Sequence, residues 1–383
     1  MNTGHTEKRT WTSIDGRRSD EIDVFVPAPI AEQVVVGSDP AIEAETERAL
    51  LSLRGAHRLE PVAANLLRSE GIASSMIEGE VASTRRVYET EYAPDDVSDP
   101  VARRVANSIR VMADVIEHAG EGVNSASFSH WHEVLFAGTH VRFAPGRVRS
   151  TQNWIGTRTD TPVGAVFVPP SPDLVAAAMT DLAAFVNRTD CAPLAQSAIA
   201  HAHFETIHPY PDGNGRIGRA LVYRCWAYRG VTGSVVPPIS RILVENREAY
   251  VDGLTAYRRG DVDAWLGFFF DTVVSAVSYT RSLAEHLRVL ENVWSNRLSG
   301  ARSNSLARRI VGDLVAHPIL SASDVAGRYG VTDRGAGIAL DGLVERGILT
   351  HRPLRRARRG RPLKVFEATE LFDLLDLSPR ELV

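Results

Sequence analysis

The sequence predicts a mainly α-helical protein with one small β-hairpin and a separate C-terminal unit of helices and strands. Three observations predict it. Apolar residues recur at helical spacing through most of residues 41–290. One stretch, residues 143–170, breaks the pattern with Gly, Thr, Pro and β-branched residues. Residues 303–383 then carry a helix, helix, helix, strand order of their own. A length of 383 residues allows two or three domains, and 44% hydrophobic with 23% charged residues is the balance of an ordinary globular chain. The net charge of −4 argues against a polyanion binder as a whole. Two cysteines, Cys191 and Cys225, exclude a disulfide framework and a Cys-rich zinc site. The N-terminal stretch has no apolar signal-peptide core. The most apolar window, residues 264–277, contains Asp271 and is too short to span a bilayer. A cytoplasmic protein is the default expectation.

Residues 1–24 are polar without a clear period and are expected to form a flexible arm. FVPAPI, residues 25–30, is a proline-braced extended segment that opens an N-terminal helical region, 25–120. Ile42, Ala49, Leu50 and Leu53 share one face of its first helix. A second helix over about 61–69 leads into GIASSMIEGE, where a short helix is expected over about 72–80. ETEYAPDDVSDP, residues 89–100, has five acids, two prolines and no base, and is expected as an exposed loop. Helices follow over 101–118 and 127–136, the latter inside a core domain, 121–290. TQNWIG…VGAVFVPP is expected to make two short strands around a turn. Ser171-Pro172-Asp173 supplies an N-cap, a proline at N1 and an early acid for a helix to about 187. Further helices start at Pro193 and Gly215, the second closed by Gly230, and others are expected over 245–257 and 262–289.

The last unit, 303–383, carries helices over 305–317, over SASDVAGRYG with Ser321 or Ser323 as cap, and over TDRGAGIALDGLVERGIL. A basic turn and the strand-like VFEAT follow, which is the order of a winged helix-turn-helix. Arg352, Arg355, Arg356, Arg358, Arg359, Arg361 and Lys364 fall in this turn without an acid between them, so a nucleic-acid or protein contact through a basic wing is a candidate. The helix in the recognition position, 334–343, has one arginine, three glycines and an acid, which is weak equipment for reading bases.

The strongest local signal is HPYPDGNGRIGR, residues 208–219. Gly213-Asn214-Gly215 permits backbone torsions closed to most residues, so successive N–H groups can converge into an anion nest at a helix N-terminus. Arg216 and Arg219 stand i, i+3 in that first turn. Asp212 is a hard oxygen ligand suited to Mg²⁺ bridging phosphates, and His208 is the proton acceptor within the segment. A nest, a metal carboxylate, two arginines and a base make a nucleotide-dependent group-transfer site. GxxxxGK[ST] is absent, which disfavours a conventional P-loop ATPase. His201, Glu205 and His208 at i, i+4, i+7 suggest a zinc face, but HExxH is missing and a proline follows His208.

HPYPDGNGRIGR resembles the signature of the Fic (filamentation induced by cAMP) family, His-Pro-Phe-x-Asp/Glu-Gly-Asn-Gly-Arg-x-x-Arg, with Tyr210 in place of the usual phenylalanine. The resemblance implies AMP transfer from ATP to a protein Ser, Thr or Tyr hydroxyl. It implies His208 as the base, Asp212 as the Mg²⁺ ligand, Gly213, Asn214 and Gly215 as the nest, and Arg216 and Arg219 as phosphate holders. SSMIEG, residues 74–79, resembles the family's inhibitory motif, which implies that Glu78, with Ser74 one turn before it, pairs with Arg219 and restrains the site. The hairpin matches the family's flap in position, placing Ile155 to Thr157 near the nucleotide, and ENREAY resembles an adenine-side element through Asn246 and Tyr250. The resemblance spans roughly residues 25–280. It implies a target protein, or the chain itself, as partner, with a second copy of the chain a further candidate. The competing reading is a DNA-binding winged-helix regulator whose core acts as a nucleotide sensor.

Overall fold

The computed structural model describes residues 1–13, 15–35, 39–54, 59, 62–97, 99–156, 160–354 and 362–376. In chain order the elements are β1 (Gly4–Thr12), β2 (Ser19–Pro27), α1 (Pro40–Leu51), α2 (Ala63–Ile77), α3 (Thr84–Tyr92), α4 (Pro100–Glu117), α5 (Ser125–Phe136), α6 (Pro172–Val186), α7 (Pro193–Ile207) and α8 (Asn214–Tyr228). There follow α9 (Ile239–Glu245), α10 (Arg247–Arg258), α11 (Val262–Arg297), α12 (Leu306–Asp313), β3 (Ile319–Leu320), α13 (Ala322–Tyr329), α14 (Asp333–Glu345), β4 (Thr350–Leu354), β5 (Leu363–Glu367) and α15 (Thr369–Asp376). Among the described residues, no helix is long and apolar enough to cross a membrane. The chain divides into two compact units, one of Met1–Ser52, Arg110–Gly233 and Leu243–Val274, the other of Leu53–Ile109, Ser234–Ile242 and Ser275–Val383.

In the first unit α7 and α8 are buried along most of their length, so neither shows a one-sided apolar stripe. Trp226 Nε1 on α8 donates to Ser197 Oγ on α7 at 2.9 Å, and Trp265 Nε1 donates to the Ala198 carbonyl at 2.9 Å. Buried indoles thus find acceptors within the same packed layer. Local chemistry sets the ends: Asn124 and Ser127 form a capping box on α5, Pro172 opens α6, and α8 ends before Gly230 at φ 65°.

Two expectations are corrected in this unit and its flap. The flexible arm is a hairpin, β1 paired antiparallel with β2 from Gly4↔Pro27 to Thr12↔Ser19. It is held because β2 buries Ile22 and Val24 on Val168, with Trp11 and Trp154 packed against them, and Phe25 N–H donates to the Val168 carbonyl at 3.0 Å. The two expected flap strands reduce to a single bridge, Ile155↔Phe167. Pro162, Pro169 and Pro170 remove the donors a longer ladder would need. Thr157 lies outside the described residues.

In the second unit, the two expected helices before residue 80 are one continuous α2. Gly71 lies inside it because a Cβ there would come within 2.4 Å of Ile109 Cγ1, so the glycine admits close packing with α4. Glu89, expected in an exposed loop, sits in α3 at 5% exposure, neutralised by Arg86 at 2.8 Å and by Arg352. Ser74 is buried inside α2, and Glu78 is the exposed C-cap of the same helix. Beyond α11, Ser321 and Asp324 form a capping box on α13, Thr332 caps α14, and the strands order β3-β5-β4, all antiparallel. Arg355, Arg356, Arg358, Arg359 and Arg361 lie outside the described residues. Arg352 and Lys364, at the edges of that basic run, are engaged by Glu367 at 2.9 Å and Asp341 at 2.9 Å.

Candidate active site

The segment 208–213 joins α7 to α8 within the first unit. His208 ends α7 in the left-handed region, φ 49° and ψ 60°, the one non-glycine residue with positive φ among the described residues. Gly213 also lies there, at φ 81°, and a Cβ would come within 2.7 Å of Leu135 Cδ2. Glycine is therefore required at 213 on two counts, conformation and space. Asn214 does not reach outward. Its carbonyl oxygen accepts from Tyr210 N–H at 2.9 Å and its amide donates to the Tyr210 carbonyl at 2.8 Å, closing the turn on itself. The Asn214 side chain thus clamps the turn that forms the nest.

Asp212 and Arg216 meet at 3.1 Å through Oδ1 and Nη2. The Asp212 side chain is 54% exposed whereas Arg216 and Arg219 are 2% and 1% exposed. Asp212 Oδ1 also accepts from Gly213 N–H. The carboxylate therefore keeps an open side, which fits a Mg²⁺ ion taking one protein carboxylate and completing its shell with phosphates and water. Among the described residues no group of three or more His, Cys, Asp or Glu is arranged to hold a metal. Glu205 Oε2 lies 4.0 Å from His208 Nδ1, an ion-pair distance once the ring is protonated. Gly218 makes room for it, since a Cβ there would fall 2.5 Å from Glu205 Oε1.

The remaining expected residues lie on other elements. Ile155 is exposed on the flap and held by its bridge, with N–H to the Phe167 carbonyl at 2.8 Å. Asn153 Nδ2 donates to the Tyr210 carbonyl at 3.2 Å and so ties the flap to the turn. Asn246 is exposed at the start of α10. Tyr250 is 4% exposed, its hydroxyl 3.0 Å from His201 Nε2 and its ring stacked on the imidazole, so it is committed to the interior. Ser74 and Glu78 belong to the second unit.

Residues 123–225 match the model of the Fic/DOC family. The chain is 30% identical over 120 residues to the protein adenylyltransferase fic-1 of Caenorhabditis elegans, covering 30% of this chain and 21% of that protein. It is 32% identical over 100 residues to a probable protein adenylyltransferase of Aquifex aeolicus, covering 26% and 29%. The chain thus spans under a third of the length of these curated relatives. Among solved structures it is similar to a Fic family protein from Desulfovibrio desulfuricans, with TM-score 0.52 and 22% identity over 88% of this chain and 98% of that one. A Fic domain containing signaling protein from Bacteroides thetaiotaomicron matches with TM-score 0.53 and 17% identity, over 64% of this chain and 97% of that one. Residues 123–225 form a Fic/DOC domain.

Two residues that sequence reasoning missed hold the turn of this Fic/DOC domain. His132 on α5 is buried and stacked on Tyr210 at 4.0 Å between ring centroids. Its Nδ1 accepts from Gly146 N–H at 2.8 Å and its Nε2 donates to the Asp212 carbonyl at 3.2 Å. Burial pushes its pKa down to about 4, so it is the neutral tautomer that does this. Arg149, 4% exposed, donates Nε to the His208 carbonyl at 2.9 Å, and its own N–H donates to the Pro209 carbonyl at 2.9 Å. Neither residue lies in the HPYPDGNGRIGR segment. The only sequence hint for Arg149 is its place just before TQNWIG, between Val148 and Ser150.

Proposed function

We propose that the Fic/DOC domain of this chain transfers AMP from ATP to a Ser, Thr or Tyr hydroxyl of a protein. The observation that carries the reading is the turn itself. A left-handed histidine, an open carboxylate and two buried arginines converge at the N-terminus of α8, behind a left-handed glycine. The names of the relatives support the same chemistry.

In this reading His208 accepts the proton of the target hydroxyl as its oxygen bonds to the α-phosphorus. The α–β phosphoanhydride bond breaks, and pyrophosphate leaves with the electron pair. Arg216 and Arg219 stabilise charge growing on the phosphate oxygens, helped by the free N–H groups at the start of α8. Asp212 would hold Mg²⁺, which when bound neutralises the phosphates. Glu205 stands where it favours the protonated His208. Glu78 acts as a brake, a role supported by the SSMIEG sequence, and residues 303–383 form a winged helix, supported by the order of their helices and strands.

Intact-mass spectrometry after incubation with Mg-ATP, with and without cell lysate, tests the reading. Glu78→Gly is expected to gain an AMP mass on itself or on a lysate protein, well above the wild type. Adding His208→Ala should lower that transfer by about 10²- to 10⁴-fold. Undiminished transfer in the double variant would remove His208 as the base. No adduct on any protein would overturn the reading.

A further inference from the structure

Arg149 is a buried cation with no carboxylate partner among the described residues; each acceptor it meets is a backbone carbonyl. Those carbonyls belong to two places. Nε and Nη2 reach His208 and Ile207, at 2.9 and 3.4 Å, where α7 runs out of intrahelical donors. Nη1 reaches Thr151 at 3.4 Å and Nη2 reaches Pro170, which are the two ends of the flap segment. Burial lowers its pKa to about 10, which still leaves it charged near neutrality. An unpaired buried charge is costly, and a neutral side chain would fill the same space without that cost.

What the cation supplies is geometry. Left-handed torsions are unfavourable for histidine, and the torsions that put the His208 carbonyl on Arg149 Nε also aim the imidazole. If His208 relaxed to ordinary helical torsions, that carbonyl would swing off the guanidinium and the ring would turn with it. The same planar group fixes the flap ends, so the two parts are registered by one side chain. We propose that Arg149 is a positioning residue that locks the direction of the His208 ring and the register of the flap on the turn.

The kinetic half of this proposal rests on the adenylyl-transfer reading, so the test has two arms. In the Glu78→Gly background, Arg149→Lys and Arg149→Gln are expected to lower kcat for AMP transfer by about 10- to 100-fold. KM for ATP should stay within about threefold, since no nucleotide contact is removed. In the full chain without nucleotide, the same substitutions should speed amide exchange about tenfold over residues 207–210, with exchange in α8 and α11 unchanged. Arg149→Lys keeps the charge and guards against a variant that does not fold. Unchanged kcat, or a rise in KM for ATP matching the loss in kcat/KM, would overturn the proposal. So would faster exchange spread over the whole first unit, which marks a merely structural residue. If Glu78→Gly transfers nothing, the adenylyl-transfer reading fails, and the exchange arm alone decides Arg149: a localised change supports it, and none overturns it.

Discussion

Around the His208–Gly213 turn, the first unit buries three histidines, His132, His201 and His203, each 0–1% exposed and neutral, hydrogen-bonded to backbone or tyrosine groups. The second unit instead carries partly buried ion pairs, among them Arg68–Glu91 at 2.7 Å, Arg86–Glu89 at 2.8 Å and Arg352–Glu367 at 2.9 Å. The difference follows from what each must hold. Fixed dipoles can brace a turn without competing with the charges on Asp212, Arg216 and Arg219. Charge pairs suit the second unit, where strands and helices far apart in sequence must find one register. There Asn65 Nδ2 on α2 also donates to the Val315 carbonyl at 2.9 Å.

Acid breaks the comparison most strongly. Burial lowers the pKa of His132 to about 4 and of His201 and His203 to about 3, below the ordinary 6.5 of an unfolded histidine. The unfolded chain then binds more protons than the native one between those values. The stability these groups contribute is complete above pH 6.5 and is lost as pH falls toward the folded values. Between pH 7 and pH 5 each costs about 2 kcal/mol. Region-resolved hydrogen exchange should therefore show the first unit opening before the second, where His317 alone is lowered among the described histidines. Equal acid sensitivity of the two units would refute this.

A smaller effect sharpens the same point. His132→Phe keeps a ring against Tyr210 but strands the Gly146 N–H and the Asp212 carbonyl. Denaturant titration should find the first unit destabilised by about 1–3 kcal/mol. The variant should also lose roughly a third of the acid sensitivity between pH 7 and pH 5, being one of three comparable groups. The smallest effect is that of salt. Raising sodium chloride to about 1 M should weaken the half-exposed pairs of the second unit, such as Arg86–Asp99 and Arg297–Glu370, by under about 1 kcal/mol each. Amide exchange should rise in α3 and α15 and hold steady in α7 and α8.

Much of the fold was legible because helix ends are written locally. Ser171-Pro172, Gly230 and the Ser321–Asp324 box sit where α6, α8 and α13 begin or end. The HPYPDGNGRIGR turn was legible for the same reason, its glycines and charges being neighbours in sequence. The β1–β2 hairpin was not. β1 carries one large apolar residue, Trp11, and only Val168 and Trp154, well over a hundred residues away, give Ile22 and Val24 of β2 a place to bury. The burial of Tyr250 was equally hidden, because His201 approaches it from 49 residues upstream.

The sequence by itself determined most of the helices, the flexible glycines of the turn and which charged side chains stand beside it. Each of those depends on a residue's own torsions or on neighbours within a helical turn. Only the tertiary structure decided how that turn is held. His132 and Arg149 reach it from 80 and 59 residues away, and their carbonyl acceptors carry no side-chain signature. Backbone groups are the same at every position, so a bond to one of them leaves no mark in the sequence until the fold brings the two ends together.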